Sequence, residues 1–345
     1  MVHGTVANTE RMNGYLVFAA KVLLTVVFLW FAFQTVELGR IDEALYRISA
    51  VPVIAAILAV LLQSMLLALR WRLIAIATGE ALPLGAAVNA TLVSFLFSQG
   101  LPASVGADVF RVWWMRKFGT PIGRATEVVL LDRFAGLVFL VLLATLGTLV
   151  LALGWQANWA IVVAVAATAG ALIMLLAVLL VGESVVRPVV RFLHLDRVGL
   201  FLKLLDVGRR LRGHILNLLA VPRHACAFAA LSLAIHLLTV AICYNFAVAL
   251  DARVSFAQCF AVLPIGLLLS YLPISIAGWG VRELSFVGGL ALVGVSNDVA
   301  LVSALALGLT VLCVSLIGAA LWILGGIREQ FLATAGQASR KEIER

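Results

Sequence analysis

One polar motif occurs twice in this hydrophobic chain, with the same internal spacing in both copies. The first copy consists of Leu101, Pro102, Ser104 and Arg111. The second lies 171 residues later and consists of Leu272, Pro273, Ser275 and Arg282. Each copy follows a long uncharged stretch and adds proline, glycine and arginine, which disfavours a continuous helix in lipid. Interrupted hydrophobic segments at matching positions in two halves of a chain indicate a transport site.

The composition is that of a multi-pass membrane protein. Apolar residues make up 63% of the chain, charged residues make up 12%, and the mean hydropathy is +1.12. Too few polar residues are available to coat a soluble globule. A helix needs about 20 apolar residues to cross a bilayer core. Six runs are candidate transmembrane helices: 22–36, 51–69, 135–153, 157–181, 225–250 and 299–327.

The formal net charge of +8 is better explained by membrane topology than by nucleic-acid binding. Basic residues lie between the hydrophobic runs, as the positive-inside rule expects. Arg70 and Arg72, the segment 111–124 and the segment 187–223 therefore belong on the cytoplasmic side. This pattern also predicts that both chain termini are cytoplasmic.

The charge pattern decides how the two motifs are inserted. Both flanks of segment 81–107 are assigned to the cytoplasm, so this segment is predicted to be a re-entrant hairpin that turns near 100–106. The second copy, at roughly 254–297, is predicted to enter from the opposite face. The residues expected to form the two hairpin turns are Pro102, Gly106, Pro273, Gly278 and Gly280.

The predicted fold is an all-α polytopic membrane protein with about six full transmembrane helices and two re-entrant hairpins in an inverted repeat. A single transmembrane domain at 1–330 contains repeat halves at about 50–153 and 225–327. A short polar cytoplasmic tail follows at 331–345. Between the halves, segment 183–223 alternates basic with apolar residues, which is typical of an amphipathic helix on the inner membrane surface.

Several polar residues at the motifs are candidates for substrate binding. Asp108 and Arg111 are three residues apart and share a helical face, where Arg111 offers a planar fork for a phosphate. Arg282 and Glu283 lie in an otherwise uncharged region, where arginine is not needed for topology. The other candidates are Asp132, Arg133, Ser104 and Ser275. The competing interpretation is structural, because prolines kink transmembrane helices and small residues allow close helix contact.

Three blocks of sequence resemble the membrane domain of lysylphosphatidylglycerol synthases and its stand-alone, flippase-like relatives. Block 97–111 resembles the pattern Leu-Pro-x-Ser-x-Gly-Gly-Asp-x-x-Arg, with Ala107 in place of the second glycine. Block 129–137 contains the Asp132-Arg133 pair at the start of a span, and block 272–283 contains the second motif. Arg70-Trp71-Arg72 adds a fourth match.

The resemblance implies movement of lipids or lipid-linked products between the leaflets of a bacterial cytoplasmic membrane. It implies partners of two kinds, membrane lipids with a phosphate-bearing headgroup and a lipid-modifying enzyme. About 18 residues follow Ile327, too few for an aminoacyl-transferring domain. The alternative function is that of a non-transporting accessory or scaffold protein in hopanoid or lipid-sugar synthesis. The identity of the lipid and the oligomeric state stay open.

Enzyme chemistry is not indicated by any motif. The four cysteines have no metal-ligand spacing, and the chain lacks paired catalytic carboxylates and a glycine-rich nucleotide loop. We therefore predict no catalytic activity, no metal and no cofactor. His236 lies inside a span, where an ionisable residue is a functional candidate by default, but no second titratable residue accompanies it there.

Overall fold

The computed structural model describes residues 19, 22–34, 48–100, 105–154, 159–180, 199–271 and 274–343. The regular structure in these ranges is entirely helical. We number the helices α1 (Val22–Gln34), α2 (Ala50–Ala77), α3 (Leu84–Gly100), α4 (Val105–Arg116), α5 (Ile122–Gly154), α6 (Trp159–Leu180), α7 (Gly199–Ala220), α8 (Pro222–Ala249), α9 (Phe256–Ser270), α10 (Val281–Ala291) and α11 (Asn297–Ile343).

Four of the described helices are long and apolar enough to cross a membrane. They are α2, α5, α8 and the Asn297–Leu324 part of α11. The prediction of an all-helical polytopic membrane protein is therefore confirmed. Helices α3 and α9 are apolar but have only 17 and 15 residues. At 1.5 Å per residue they measure about 25 Å or less, which is shorter than a bilayer core of about 30 Å.

The order of helices repeats along the chain. A long helix, a short apolar helix, a shorter helix and a second long helix occur as α2 to α5 and again as α8 to α11. The packing repeats as well, since α2 packs on α8, α3 packs on α11, and α9 packs on α5. Each short apolar helix thus lies against a long helix of the other half, so the two halves share one interior.

Two glycines allow the closest of these helix contacts. Gly147 of α5 faces the backbone of α9, where an added Cβ would lie 2.7 Å from the carbonyl oxygen of Phe260. Gly318 of α11 faces α3, where an added Cβ would overlap the carbonyl oxygen of Leu92. The two glycines are 171 residues apart, as the motifs are. Small residues at such positions allow helix backbones to approach closely in membranes.

The central amphipathic segment is described from Gly199 onward, and 183–198 lie outside the described residues. Helix α7 packs against α2, α5 and α8. Its Leu218 is buried in an apolar cluster with Phe228 of α8, whereas Arg209 and Arg210 are exposed. Arg210 also donates a 2.7 Å hydrogen bond to Glu127 of α5. Over 199–220 this segment is therefore helical, with leucine packed on the bundle and arginines exposed.

The second motif forms an irregular turn at residues 274–280, which we call the second tip. Ala277, Gly278 and Gly280 have φ values of 52°, 78° and 84°. Gly280 also has no room for a side chain, because an added Cβ would lie 2.7 Å from Cβ of Phe28 in α1. The backbone amide of Ile276 donates a 2.9 Å hydrogen bond to the Thr25 hydroxyl. Helix α1 therefore supports the second tip.

Substitution of the contact glycines is expected to destabilise the bundle. Gly147→Ala and Gly318→Ala each place a methyl group against backbone, so each should lower the free energy of unfolding by about 1 to 3 kcal/mol. Gly170→Ala is the matched control, because its added Cβ meets nothing within 4 Å. Unfolding of the purified protein by titration with sodium dodecyl sulfate measures the effect. Equal stability of all three variants would contradict close packing at Gly147 and Gly318.

Candidate functional site

A cavity of about 250 Å³ lies between the two halves of the bundle. Its wall contains residues of α2, α3, α4 and α5 from the first half, and of α8, α9 and α11 from the second. Apolar residues such as Phe95, Leu267 and Val311 form part of this wall. The polar side chains that line it are Gln63, Arg70, Thr91, Ser94, Ser98, Arg111, Asp132, Arg133, His236, Thr239 and Tyr271.

The centre of this site is the carboxylate of Asp132, which two arginines hold. Arg70 Nε donates to Asp132 Oδ1 over 2.8 Å, and Arg111 Nη1 donates to Asp132 Oδ2 over 2.8 Å. All three side chains are buried, with exposures of 4%, 7% and 2% for Arg70, Arg111 and Asp132. A buried carboxylate is tolerated only with such partners, since its desolvation is costly. The three residues therefore fix α2, α4 and α5 to one another.

Arg70 has two further hydrogen bonds, one to α8 and a second one to α5. Its Nη1 lies 3.4 Å from the Ser232 hydroxyl of α8, and its Nη2 donates to the Asp132 carbonyl over 3.3 Å. Gly136 of α5 lies beside the same guanidinium, where an added Cβ would be 3.5 Å from Nη2. The Arg70 guanidinium is thus enclosed by protein on several sides.

Arg111 is less completely bound than Arg70. Its guanidinium carbon lies 4.2 Å from the centre of the Trp71 ring, a cation–π contact. Its Nε and Nη2 are buried and have no hydrogen-bond partner among the described residues. Buried polar atoms normally have partners, so each unpaired donor requires an explanation. Arg111 is also one of the residues that line the cavity, which makes its two unpaired donors candidates for contact with a ligand.

A second ion pair lies at a more exposed part of the site. Arg133 Nε donates to Asp108 Oδ1 over 2.8 Å, and the two side chains are 34% and 27% exposed. Asp108 and Arg111 share a face of α4 but are not ion-pair partners of each other. Both pair with α5, Asp108 with Arg133 and Arg111 with Asp132. The four residues therefore join α4 to α5 by two ion pairs.

The structure adds to two sequence interpretations. Arg70, a residue used as a topology signal, is buried inside the bundle, where Asp132 neutralises it. Asp132, interpreted as opening a span, lies inside α5, which begins at Ile122. Contacts across helices determine both positions, and the linear sequence does not show those contacts.

The structure places Arg282 and Glu283 apart from the cavity, since neither lines it. Arg282 pairs with its neighbour Glu283, which is fully buried. Glu283 Oε2 also accepts a 2.6 Å hydrogen bond from the amide of Gly280 and so caps α10. The Arg282 guanidinium lies 4.8 Å from the Trp279 ring and packs tightly against Gly308 of α11. Both charged groups of the second motif thus have protein partners.

The remaining predicted residues divide into described and undescribed positions. Ser275 is buried, and its hydroxyl has no hydrogen-bond partner among the described residues. Gly106 is buried near the start of α4. Pro102, Ser104 and Pro273 lie outside the described residues.

The two motif regions are in contact. The indole Nε1 of Trp279 in the second tip donates to Gln99 Oε1 of α3 over 3.3 Å. Gln99 lies just before Leu101, where the first motif begins.

Gln63 and Thr239 of the cavity carried no sequence signal, whereas His236 was a default candidate as an ionisable residue inside a span. Gln63 Nε2 donates to the Ile235 carbonyl over 2.8 Å and to the Thr239 hydroxyl over 2.7 Å. His236 Nε2 lies 2.9 Å from the Gly136 carbonyl oxygen, so this nitrogen carries the proton. A further signal was the Arg70-Trp71-Arg72 match, because two of its three residues touch Arg111 or its partner Asp132.

The fold and the site define a helical membrane protein with a charged cavity inside its bundle. The family described as the lysylphosphatidylglycerol synthase TM region matches residues 18–319 of the chain. The chain belongs to this family, as the sequence resemblance predicted. No curated protein matches the chain.

Loss of the central carboxylate is expected to unfold or strongly destabilise the bundle. Asp132→Asn removes the charge that compensates Arg70 and Arg111, which should cost about 3 to 5 kcal/mol of unfolding free energy. Glu80→Gln is the control, because its partner Arg124 is 47% exposed and such pairs contribute about 1 kcal/mol or less. Denaturant titration of the purified variants compares the two. A small effect of Asp132→Asn would contradict a structural role for the buried pairs.

Proposed function

We propose that this protein moves a phosphate-bearing membrane lipid between the two leaflets of a bilayer. The observation that carries the proposal is the incompletely bound guanidinium of Arg111 in the cavity between the two halves. Arginine presents its donors as a planar fork, which matches two oxygens of a phosphate. Nε and Nη2 form one edge of that fork.

The charge of the cavity wall supports an anionic group. Arg70, Arg111 and Arg133 contribute three positive charges, and Asp132 contributes the only carboxylate that lines the described cavity. Both oxygens of that carboxylate are already bound by arginine. The surplus positive charge lies where water is partly excluded, so it attracts an anion more strongly than it would at the surface.

The architecture that we propose has about six full transmembrane helices and two re-entrant hairpins, α3–α4 and α9–α10, in an inverted repeat. The repeated helix order and the short lengths of α3 and α9 support it. In this proposal the headgroup enters the cavity while the acyl chains stay in the bilayer. Alternating access then carries the headgroup from Arg111 towards Arg282, whose motif would face the opposite leaflet.

The cellular setting is part of the same proposal. Membership of this family supports a multi-pass protein of the bacterial inner membrane that acts on lipids without catalysing a reaction. The chain termini would be cytoplasmic, as the basic segments suggest. A lipid-modifying enzyme that supplies or consumes the lipid is the proposed protein partner.

The decisive substitution is Arg111→Gln, which removes the charge and the fork but keeps a polar side chain. We expect it to reduce lipid movement by about tenfold or more, because a charge-assisted phosphate contact contributes about 1.5 to 3 kcal/mol. The purified protein is reconstituted in vesicles with headgroup-labelled phosphatidylglycerol, and dithionite destroys the label in the outer leaflet. The rate at which inner-leaflet label becomes accessible is measured.

Arg116→Gln is the matched control, because Arg116 is an exposed arginine of the same helix and does not line the cavity. It should retain the rate of the unsubstituted protein. Unfolding midpoints of both variants verify that they fold. An unchanged rate in a folded Arg111→Gln variant would refute the role of Arg111. If the unsubstituted protein binds lipid but moves none, the accessory or scaffold function replaces transport.

A further inference from the structure

One side of the cavity, which we call the hydroxyl wall, carries hydroxyl oxygens that accept hydrogen bonds, whereas the arginines donate them. Thr91, Ser94 and Ser98 line it from α3, at a spacing that places them on one helical face. Each hydroxyl donates to a backbone carbonyl in the preceding turn, over 2.8, 2.7 and 2.7 Å respectively. Since a hydroxyl has one hydrogen, each group in this arrangement presents its oxygen lone pairs to the cavity.

The neighbouring side chains of Gln63 and Thr239 also have their donors in use and present acceptors to the cavity. The amide nitrogen of Gln63 is committed to Ile235 and Thr239, which leaves its Oε1 as an acceptor. The Thr239 hydroxyl donates to the Ile235 carbonyl over 3.3 Å. This wall therefore requires a ligand that brings its own hydrogen-bond donors.

An ammonium group is a poor candidate for those donors. Both oxygens of Asp132, the carboxylate that lines the described cavity, are bound by Arg70 and Arg111, and Asp108 does not line it. An ammonium in the cavity would meet three guanidinium groups without a free carboxylate in the described lining. Like charges inside one cavity repel each other more strongly than at the surface, because the dielectric constant there is lower. Neutral hydroxyl groups supply donors without this repulsion.

We infer that the cavity selects a phosphodiester whose headgroup carries neutral hydroxyl groups, such as a phosphoglycerol or a phospho-sugar, over one that carries an amine. The phosphate binds Arg111, and the headgroup hydroxyls donate to Thr91, Ser94, Ser98 and Gln63. A volume of about 250 Å³ corresponds to roughly eight water-sized groups, enough for a phosphate with a short polyol. This inference rests on the proposed lipid movement and names its substrate class.

The test compares two unlabelled lipids in the same reconstituted vesicles. Periodate oxidises the vicinal diol of phosphatidylglycerol in the outer leaflet, and trinitrobenzenesulfonate modifies the amine of phosphatidylethanolamine there. We expect the protein to expose inner-leaflet phosphatidylglycerol about tenfold faster than phosphatidylethanolamine. A modest difference in binding free energy between the two lipids produces such a ratio. Arg111→Gln should abolish the faster process.

The hydroxyl wall is tested by the combined variant Thr91→Val, Ser94→Ala and Ser98→Ala. It should lower the preference for phosphatidylglycerol by about fivefold or more, as expected for lost hydrogen bonds. The control is Ser64→Ala, because the Ser64 hydroxyl is buried and donates to the Leu61 carbonyl but does not line the cavity. It should keep the preference intact.

The other outcomes are distinguishable. Equal Arg111-dependent movement of both lipids would overturn the headgroup inference and leave the proposed function standing. Movement of neither lipid would overturn the proposed function and with it this inference. Radiolabelled glycerol 3-phosphate trapped in the vesicles separates a lipid from a free phosphate ester. Retention of glycerol 3-phosphate in the vesicles supports a lipid as the substrate. Arg111-dependent escape of glycerol 3-phosphate would overturn the assignment of a lipid substrate.

Discussion

The carboxylate of Asp132, bound by two arginines inside the bundle, is the interaction on which the site depends. It allows Arg70 and Arg111 to lie buried in a membrane protein, and it joins α2, α4 and α5. One carboxylate does not fully compensate two guanidinium groups. With Arg133 and Asp108 included, the network has three positive and two negative charges. The remaining positive charge and the unpaired donors of Arg111 make this structural centre also a candidate binding site.

The two copies of the motif are alike in spacing but differ in environment. The residue that follows Arg282 is Glu283, whereas Val112 follows Arg111. Asp132 has the buried Ser303 as its counterpart 171 residues later, and Arg70 has Ala241. The second arginine consequently takes its carboxylate from its own helix. This carboxylate, of Glu283, also accepts a hydrogen bond from the Gly280 amide and so stabilises the turn there. The helix order thus occurs twice and both halves line the cavity, but the ionic network in its wall is formed by the first half alone.

The sequence predicted the membrane class and the helical fold, because hydropathy carries that information directly, and it predicted the family through the resemblance of its motif blocks. Of the two motif arginines, Arg111 lines the cavity and Arg282 does not. It did not predict the pairing of the charges. A basic residue after an apolar run normally indicates the cytoplasmic side, and Arg70 was interpreted so. Its burial depends on Asp132, which is distant along the chain and approaches only when α2 and α5 pack together. The cavity hydroxyls were missed for a similar reason, since Thr91, Ser94 and Ser98 become distinctive only beside the arginines.

The packing of the helices limits how the cavity can change its access. The halves do not form separate blocks, because α3 lies on α11 and α5 lies on α9, with glycine contacts in both pairs. The cavity lies between these two pairs, and the α2–α8 pair provides its third wall. A movement that preserves the close glycine contacts would therefore shift the α3–α11 pair against the α5–α9 pair. Two ion pairs, Asp108–Arg133 and Arg111–Asp132, join α4 to α5, and α4 is packed on α3. These ion pairs therefore connect the two helix pairs that would move against each other. A phosphate that competes for the arginines would loosen these contacts, which resist the movement.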